Sequence, residues 1–113
     1  MEYTVEQDGP RRIVHLDGAV DVSNAIRLRE VLGDQLYGPG AGVLVDLSKV
    51  RLLDSSGIGI LVTAHRRAAS LGARLVLAAP QPAVGRVFEL TRTNKLLHIV
   101  STLAEGREAL DAP

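Results

Sequence analysis

The sequence predicts an α/β domain built on a largely parallel β-sheet, and three observations carry this. The stretches VLVDLS (43–48) and ARLVLAA (73–79) are continuous apolar runs, typical of strands buried on both faces. Around them apolar residues recur at helical spacing, so strands and helices alternate, with the helices as crossovers between parallel strands. No linker, repeat or low-complexity stretch divides the 113 residues. That is the size of one ordinary domain, so 1–113 is expected to form a single unit.

The elements follow in order. TVEQDG (4–9) makes a short strand and GPRR (9–12) a turn. RIVHLDG (12–18) is rich in β-formers and ends in glycine, which gives a second strand. Over 23–42 the period changes: Ala25, Leu28, Val31, Leu32 and Leu36 recur at helical spacing, with Ser23 in an N-cap position. Gly33 weakens this helix by about 1 kcal/mol relative to alanine, and GPGAG (38–42) stops it. After the 43–48 strand, residues 57–72 read as a helix. Leu61, Ala64, Ala68 and Leu71 form its apolar stripe, and Gly72 is a natural C-cap. The 73–79 strand leads to a helix over 82–93 with Pro82 near its first position. A short strand over 96–101 and a terminal helix over 103–112 complete the order β-β-α-β-α-β-α-β-α.

Composition excludes several classes. Apolar residues make up 46% of the chain, ample for one core. Tyr3, Tyr37 and Phe88 are the only aromatics, too few for a base-stacking platform. Thirteen basic and 13 acidic residues cancel. Residues 1–57 hold 6 basic and 9 acidic, and 58–113 hold 7 and 4. This is a mild dipole rather than the concentrated basic stripe of a nucleic-acid binder, so no direct nucleic-acid contact is expected. Cysteine is absent, which fits a reducing compartment. No apolar stretch reaches the roughly 18 residues that span a bilayer, and the acidic start MEYTVEQDG does not resemble a signal peptide. A cytoplasmic protein without a membrane partner is expected.

LLDSSGIGILV (52–62) places two serines between an aspartate and a glycine, where a strand gives way to a helix. Partner and ligand sites gather at the carboxyl ends of strands in such sheets. Ser55 and Ser56 could cap the helix, attack a substrate or accept a phosphate. Capping needs only an oxygen that accepts the free amides of the first turn, and Asp54, Ser55 or Ser56 could supply it. A hydrolase elbow would need G-x-S-x-G, but Asp54 or Leu53 stands at the first glycine position. His15, His65 and His98 are the candidate bases, and nothing in the sequence sets one beside Ser56. Val62 breaks G-x-G-x-x-G after Gly57 and Gly59. The three histidines are too scattered for a metal site, so neither metal nor cofactor is expected. A phosphoacceptor serine would sit at a helix N-terminus, which tolerates an anion, but beside Asp54 and near Asp21. Phosphate adds about −1.5 to −2 charges, so the outcome would be a switch between a docking and a repelled state. Ile58, Ile60, Leu61 and Val62 point several ways around the axis, so some apolar surface near the serines is left for a partner or another helix.

The chain resembles the anti-sigma factor antagonists of the STAS domain family. VLVDLSKVRLLDSSGIGILVTAHRRAASLGARLVLAAPQPAVGRVFELTRTNKLLHIVST (43–102) follows the family pattern, with D-S-S-G-I-G as its most specific part. LDGAVDVSNA (16–25) is similar to the family's L-x-G-E-[LI]-D segment, and the V-x-x-x-F-E-L-T-x-x-x-x-L stretch (84–96) matches as well. The resemblance implies a STAS fold, a mixed sheet of five strands with helices packed on one side. It implies partner switching: the unphosphorylated antagonist binds an anti-sigma factor that is also a serine kinase, and phosphorylation dissociates the pair. A PP2C-type phosphatase resets it. The family's phosphoacceptor maps onto Ser56, with Asp21, Asp54, Ser55 and Gly57 around it. Ile58, Ile60, Thr63 and Arg67 are the candidate partner surface. Ala19 stands where the family often carries glutamate. The alternative is a non-phosphorylated STAS subunit of an ABC-type lipid or anion transporter.

Overall fold

The structure, a computed structural model, describes residues 1–38 and 41–112. Five strands, β1 (Glu2–Asp8), β2 (Arg11–Val20), β3 (Gly42–Leu53), β4 (Arg74–Ala78) and β5 (Ile99–Val100), form one sheet in sequential order. Four helices accompany them: α1 (Ala25–Gln35), α2 (Ser55–Ser70), α3 (Pro82–Leu90) and α4 (Leu103–Asp111). β1 and β2 pair antiparallel from Glu2↔Asp17 to Asp8↔Arg11, and the later strands are all parallel. The element order and the mixed sheet agree with the sequence reading. The GPGAG stop lies partly outside the described residues, at 39 and 40. α1 itself ends at Gln35, capped by Leu36.

Sequential strand order makes every crossover step the same way, and right-handed crossovers then stack their helices on one face. On that face Val14, Leu16, Val43, Val45, Leu47, Leu75 and Leu77 meet Leu28 and Leu32 of α1, Leu61 and Ala68 of α2, and Phe88 of α3. The expectation of helices on one side holds for these three. α4 follows the last strand and has no crossover to make, and it lies on the other face. There Ile13, Leu44, Val76 and Ala78 form a second apolar patch, which Leu103, Ala109 and Leu110 cover. Strands with both faces apolar leave this patch to be buried, and the chain's last helix does so.

β3 runs five residues past the expected 43–48 strand. Its second half alternates irregularly, with Val50 and Leu53 buried among exposed neighbours. Register shifts against β2 at His15/Asp17 and Gly18/Ala19 absorb the extra residues. Such bulges break the period of two, so the strand's end was not legible as one.

α4 comes close to the sheet because Gly106 is buried against it. A Cβ on Gly106 would collide with the side chain of Leu44, which is fully buried in the sheet face under α4. Gly106→Ala is therefore expected to destabilise the fold by about 1–3 kcal/mol in urea unfolding, although alanine favours the helix itself.

Candidate functional site

The junction of β3 and α2 is built around Asp54. Its backbone is extended, with φ −96° and ψ −177°, and its Oδ1 accepts the Ser56 N–H at 2.9 Å and the Gly57 N–H at 3.2 Å. Asp54 is thus the N-cap, and neither serine caps the helix. The Asp54 N–H donates to the Val20 carbonyl at 3.2 Å, which ties the start of α2 to the end of β2. Gly57 sits in the angle between them. A Cβ there would lie 2.6 Å from Leu53 Cδ1 and 2.8 Å from Val20 Cγ1, so only glycine allows this approach. The serines belong to the first helical turn rather than to the loop expected from the sequence. Ser55 is exposed and Ser56 half-buried. Their hydroxyls have no protein partner among the described residues.

The β2–α1 connection lies beside this corner because Asp21 directly follows Val20. Asp21 Oδ1 accepts the Ser23 N–H at 2.9 Å and the Ser23 hydroxyl. Its own N–H donates to Asn24 Oδ1 at 3.0 Å. The bonds from the Ser23 hydroxyl and amide hold Asp21 below its ordinary value, so it stays ionised. Ser23 therefore does not cap α1. Asn24 occupies the cap position without a side-chain cap bond, and its amide donates instead to the Ala19 carbonyl at 3.0 Å.

Along α2, Ser56, Ile60, Thr63 and Arg67 are spaced by four, three and four residues and share one stripe. Thr63 and Arg67 are exposed and Ile60 half-buried. Ile58 does not join them. It is only 5% exposed and belongs to the core, so it is removed from the candidate surface. The exposed apolar residues at this end of the molecule are Val22 at 77%, Ile26 at 61% and Leu52 at 52%. The sequence reading missed all three. Ile26 carried a signal, since it falls off the Ala25–Leu28–Val31–Leu32 stripe that meets the sheet.

The histidines lie apart from Ser56. His15 on β2 is engaged at both ring nitrogens, Nδ1 with Asp46 at 2.7 Å and Nε2 with Glu6 at 2.9 Å. Partial burial alone would lower its pKa, but the bonds and charges of Asp46 and Glu6 together outweigh this and raise it above 6.5. Burial likewise works against the charge of Asp46, and the Ser48 amide and His15 overcome it, so Asp46 stays below its ordinary value. This trio can act as a structural ion cluster, with no free ring nitrogen for base catalysis. No group of three or more His, Asp or Glu is arranged to hold a metal ion among the described residues, and no helix among them is long and apolar enough to cross a membrane.

Known proteins share this fold. Residues 2–106 match the STAS domain. An anti-sigma-B factor antagonist of Listeria monocytogenes is 26% identical over 100 residues, covering 88% of either chain. The crystal structure of an anti-sigma factor antagonist from Mycobacterium paratuberculosis superposes with a TM-score of 0.87 at 25% identity, over 98% of this chain and 94% of that one. The unphosphorylated form of the anti-sigma factor antagonist SpoIIAA shares the fold, with a TM-score of 0.75 at 19% identity over 97% and 94%.

Two outcomes follow from the bonds above. Asp54→Ala removes the cap and is expected to lower stability by about 1 kcal/mol, while Asp54→Asn keeps most of it; chemical denaturation reads both. His15 has a raised folded pKa, so its contribution is complete below its ordinary value of 6.5 and is lost as pH rises through the folded value. Urea unfolding between about pH 6 and 9 should show wild-type stability declining relative to His15→Gln.

Proposed function

The chain belongs to the STAS domain family, and on that premise we propose that it is an anti-sigma factor antagonist whose binding is controlled by phosphorylation of Ser56. The relatives named as antagonists support the first half of this reading. One observation carries the second half. Ser56 presents a half-exposed hydroxyl on the first turn of α2, while Asp54 already occupies the Ser56 and Gly57 amides that would otherwise receive a phosphate.

In the neutral state, the stripe of Ser56, Ile60, Thr63 and Arg67 docks on an anti-sigma factor with serine kinase activity, with exposed Val22 and Ile26 nearby. The sigma factor is thereby released. The kinase transfers the γ-phosphoryl of ATP to Ser56 Oγ, whose proton is lost, and ADP leaves. The new charge of about −1.5 to −2 sits beside Asp54 and near Asp21. It repels both carboxylates, and burying it in an interface costs several kcal/mol of desolvation. The complex separates, and a PP2C-type phosphatase hydrolyses the ester to restore the hydroxyl. The protein is a cytoplasmic binding module in this scheme and performs no chemistry of its own. Ala19, lacking the carboxylate frequent in the family, makes this corner less acidic for its kinase.

The expected results are specific. Incubation with the cognate kinase and ATP adds one phosphate, read by intact-mass spectrometry, and Ser56→Ala abolishes it. Ser56→Ala retains partner binding. Ser56→Asp weakens it by about 30-fold or more, the equivalent of roughly 2 kcal/mol for an unpaired charge at an interface. Labelling that persists in Ser56→Ala would remove the site, and capture of an ABC-type ATPase in place of a kinase would move the chain to the transporter reading.

A further inference from the structure

Beyond the Ser56 corner, a groove opens between α1 and α2. Arg29, Gly33 and Leu36 line it from α1, and Thr63, Ala64 and Arg67 from α2. Leu36 and Arg67 also border a wider depression of about 450 Å³ against Tyr37 and Leu71, which are 60% and 49% exposed. The α2 side of the groove continues the stripe that begins at Ser56.

Three features set this groove apart from ordinary surface. First, Arg29 and Arg67 stand on its two walls, and neither forms an ion pair among the described residues. Two guanidinium groups facing one cleft repel each other, and a carboxylate placed there relieves both. Second, Tyr37 and Leu71 expose apolar surface beside that charge, over a floor of buried Leu36 and Ala64. Arg12 stacks on the Tyr37 ring at 4.1 Å, which adds a further cation at this end. Third, Gly33 is not required by packing. A Cβ there would meet nothing within 4 Å, yet glycine is a poor helix former and Gly33 lies in the last turn of α1. The missing side chain leaves the groove open to something from outside.

We propose that the α1–α2 groove is a second docking site for the anti-sigma factor, and that it receives an acidic amphipathic helix whose carboxylates meet Arg29 and Arg67. This deepens the function proposed above and rests on it. The occupant is argued from charge complementarity and from continuity with the Ser56 stripe, and the geometry is that of a helix laid in a groove. Its position gives it a distinct role. Arg67 lies eleven residues along α2 from Ser56, about 16 Å at the helical rise. That exceeds the screening length of roughly 8 Å at physiological salt. A phosphate on Ser56 leaves the groove's attraction largely intact. The groove steers encounter, and the serine governs release.

The test is binding of the full chain to its cognate anti-sigma factor, by calorimetry and by stopped flow at low and high salt. Arg29→Glu, which lies outside the Ser56 stripe, is expected to weaken binding about tenfold or more, chiefly through kon, with the gap to wild type closing at high salt. Arg86→Glu, on exposed α3, leaves binding unchanged. Gly33→Ala separates fold from function: it raises the melting temperature by up to about 4 °C and yet weakens binding. If wild type binds and both groove variants bind equally well, the groove proposal is overturned while the function stands. If wild type does not bind, the function fails and takes the groove with it. Self-association of wild type that Arg29→Glu abolishes would assign the groove to a second copy and overturn the proposal.

Discussion

The site depends on how the first turn of α2 is seated. Four amides at a helix start lack internal partners, and here one carboxylate oxygen takes two of them. The same residue's N–H reaches across to Val20, so a single side chain and its own backbone link β2, β3 and α2. Gly57 completes the seat, because a methyl at that position would press on Val20 and Leu53. The cap is worth about 1 kcal/mol, a modest figure against the burial of Leu61, Ala64 and Ala68 that holds the helix down. The cap matters because it fixes direction. It sets which residues of the first turn face the core and which face solvent.

The seat also explains why Ser56 is accessible. β3 pairs with β4 only as far as Asp46↔Ala78, and beyond that it continues to Leu53 with β2 alone. The Ser48 carbonyl on the open side is satisfied by the Gln81 side chain at 2.9 Å. The strand, still paired with β2, therefore projects past β4 and carries the α2 N-terminus with it. Two bulges supply the added twist and length. A strand that stopped at Ser48, as the apolar pattern alone implied, would have left the serines lower against β4 and α3.

Much of this was legible because it is local. VLVDLS and ARLVLAA read as buried strands, and the stripes of α1 and α2 followed from spacing. Asp54 was named among the possible caps. What was not legible was non-local. Ile58 belongs to a run of apolar residues with no clean face, and only the angle at which α2 meets Val20 and Leu53 sends it inward. The placement of α4 depends on which sheet face still lacks cover, a property of the assembled strands. The union of His15, Asp46 and Glu6 requires three strands in register, Glu6 lying diagonally from His15 across β1 and β2. No spacing in the sequence announces it. Exposed Val22 and Leu52 look like any other apolar residue until burial is known.

The electrostatics of the corner follow from the same seat. A helix N-terminus ordinarily attracts an anion, and on that ground alone a phosphate on Ser56 would be stabilised where it forms. Asp54 reverses the balance. It stands in the place an anion would take, already bonded to the amides, so a phosphoserine finds a carboxylate instead of free donors. At about 4 Å, two unit charges repel by roughly 1 kcal/mol in water and about 4 kcal/mol at an effective dielectric of 20. Closing an interface over the pair moves it from the first regime toward the second. On the proposed switch, the free protein would tolerate a phosphate on this serine in solvent, while a docked complex would not. One capping residue would then serve both ends of the proposed switch: it holds the helix in place, and it would leave the same helix start unable to neutralise a phosphate on Ser56.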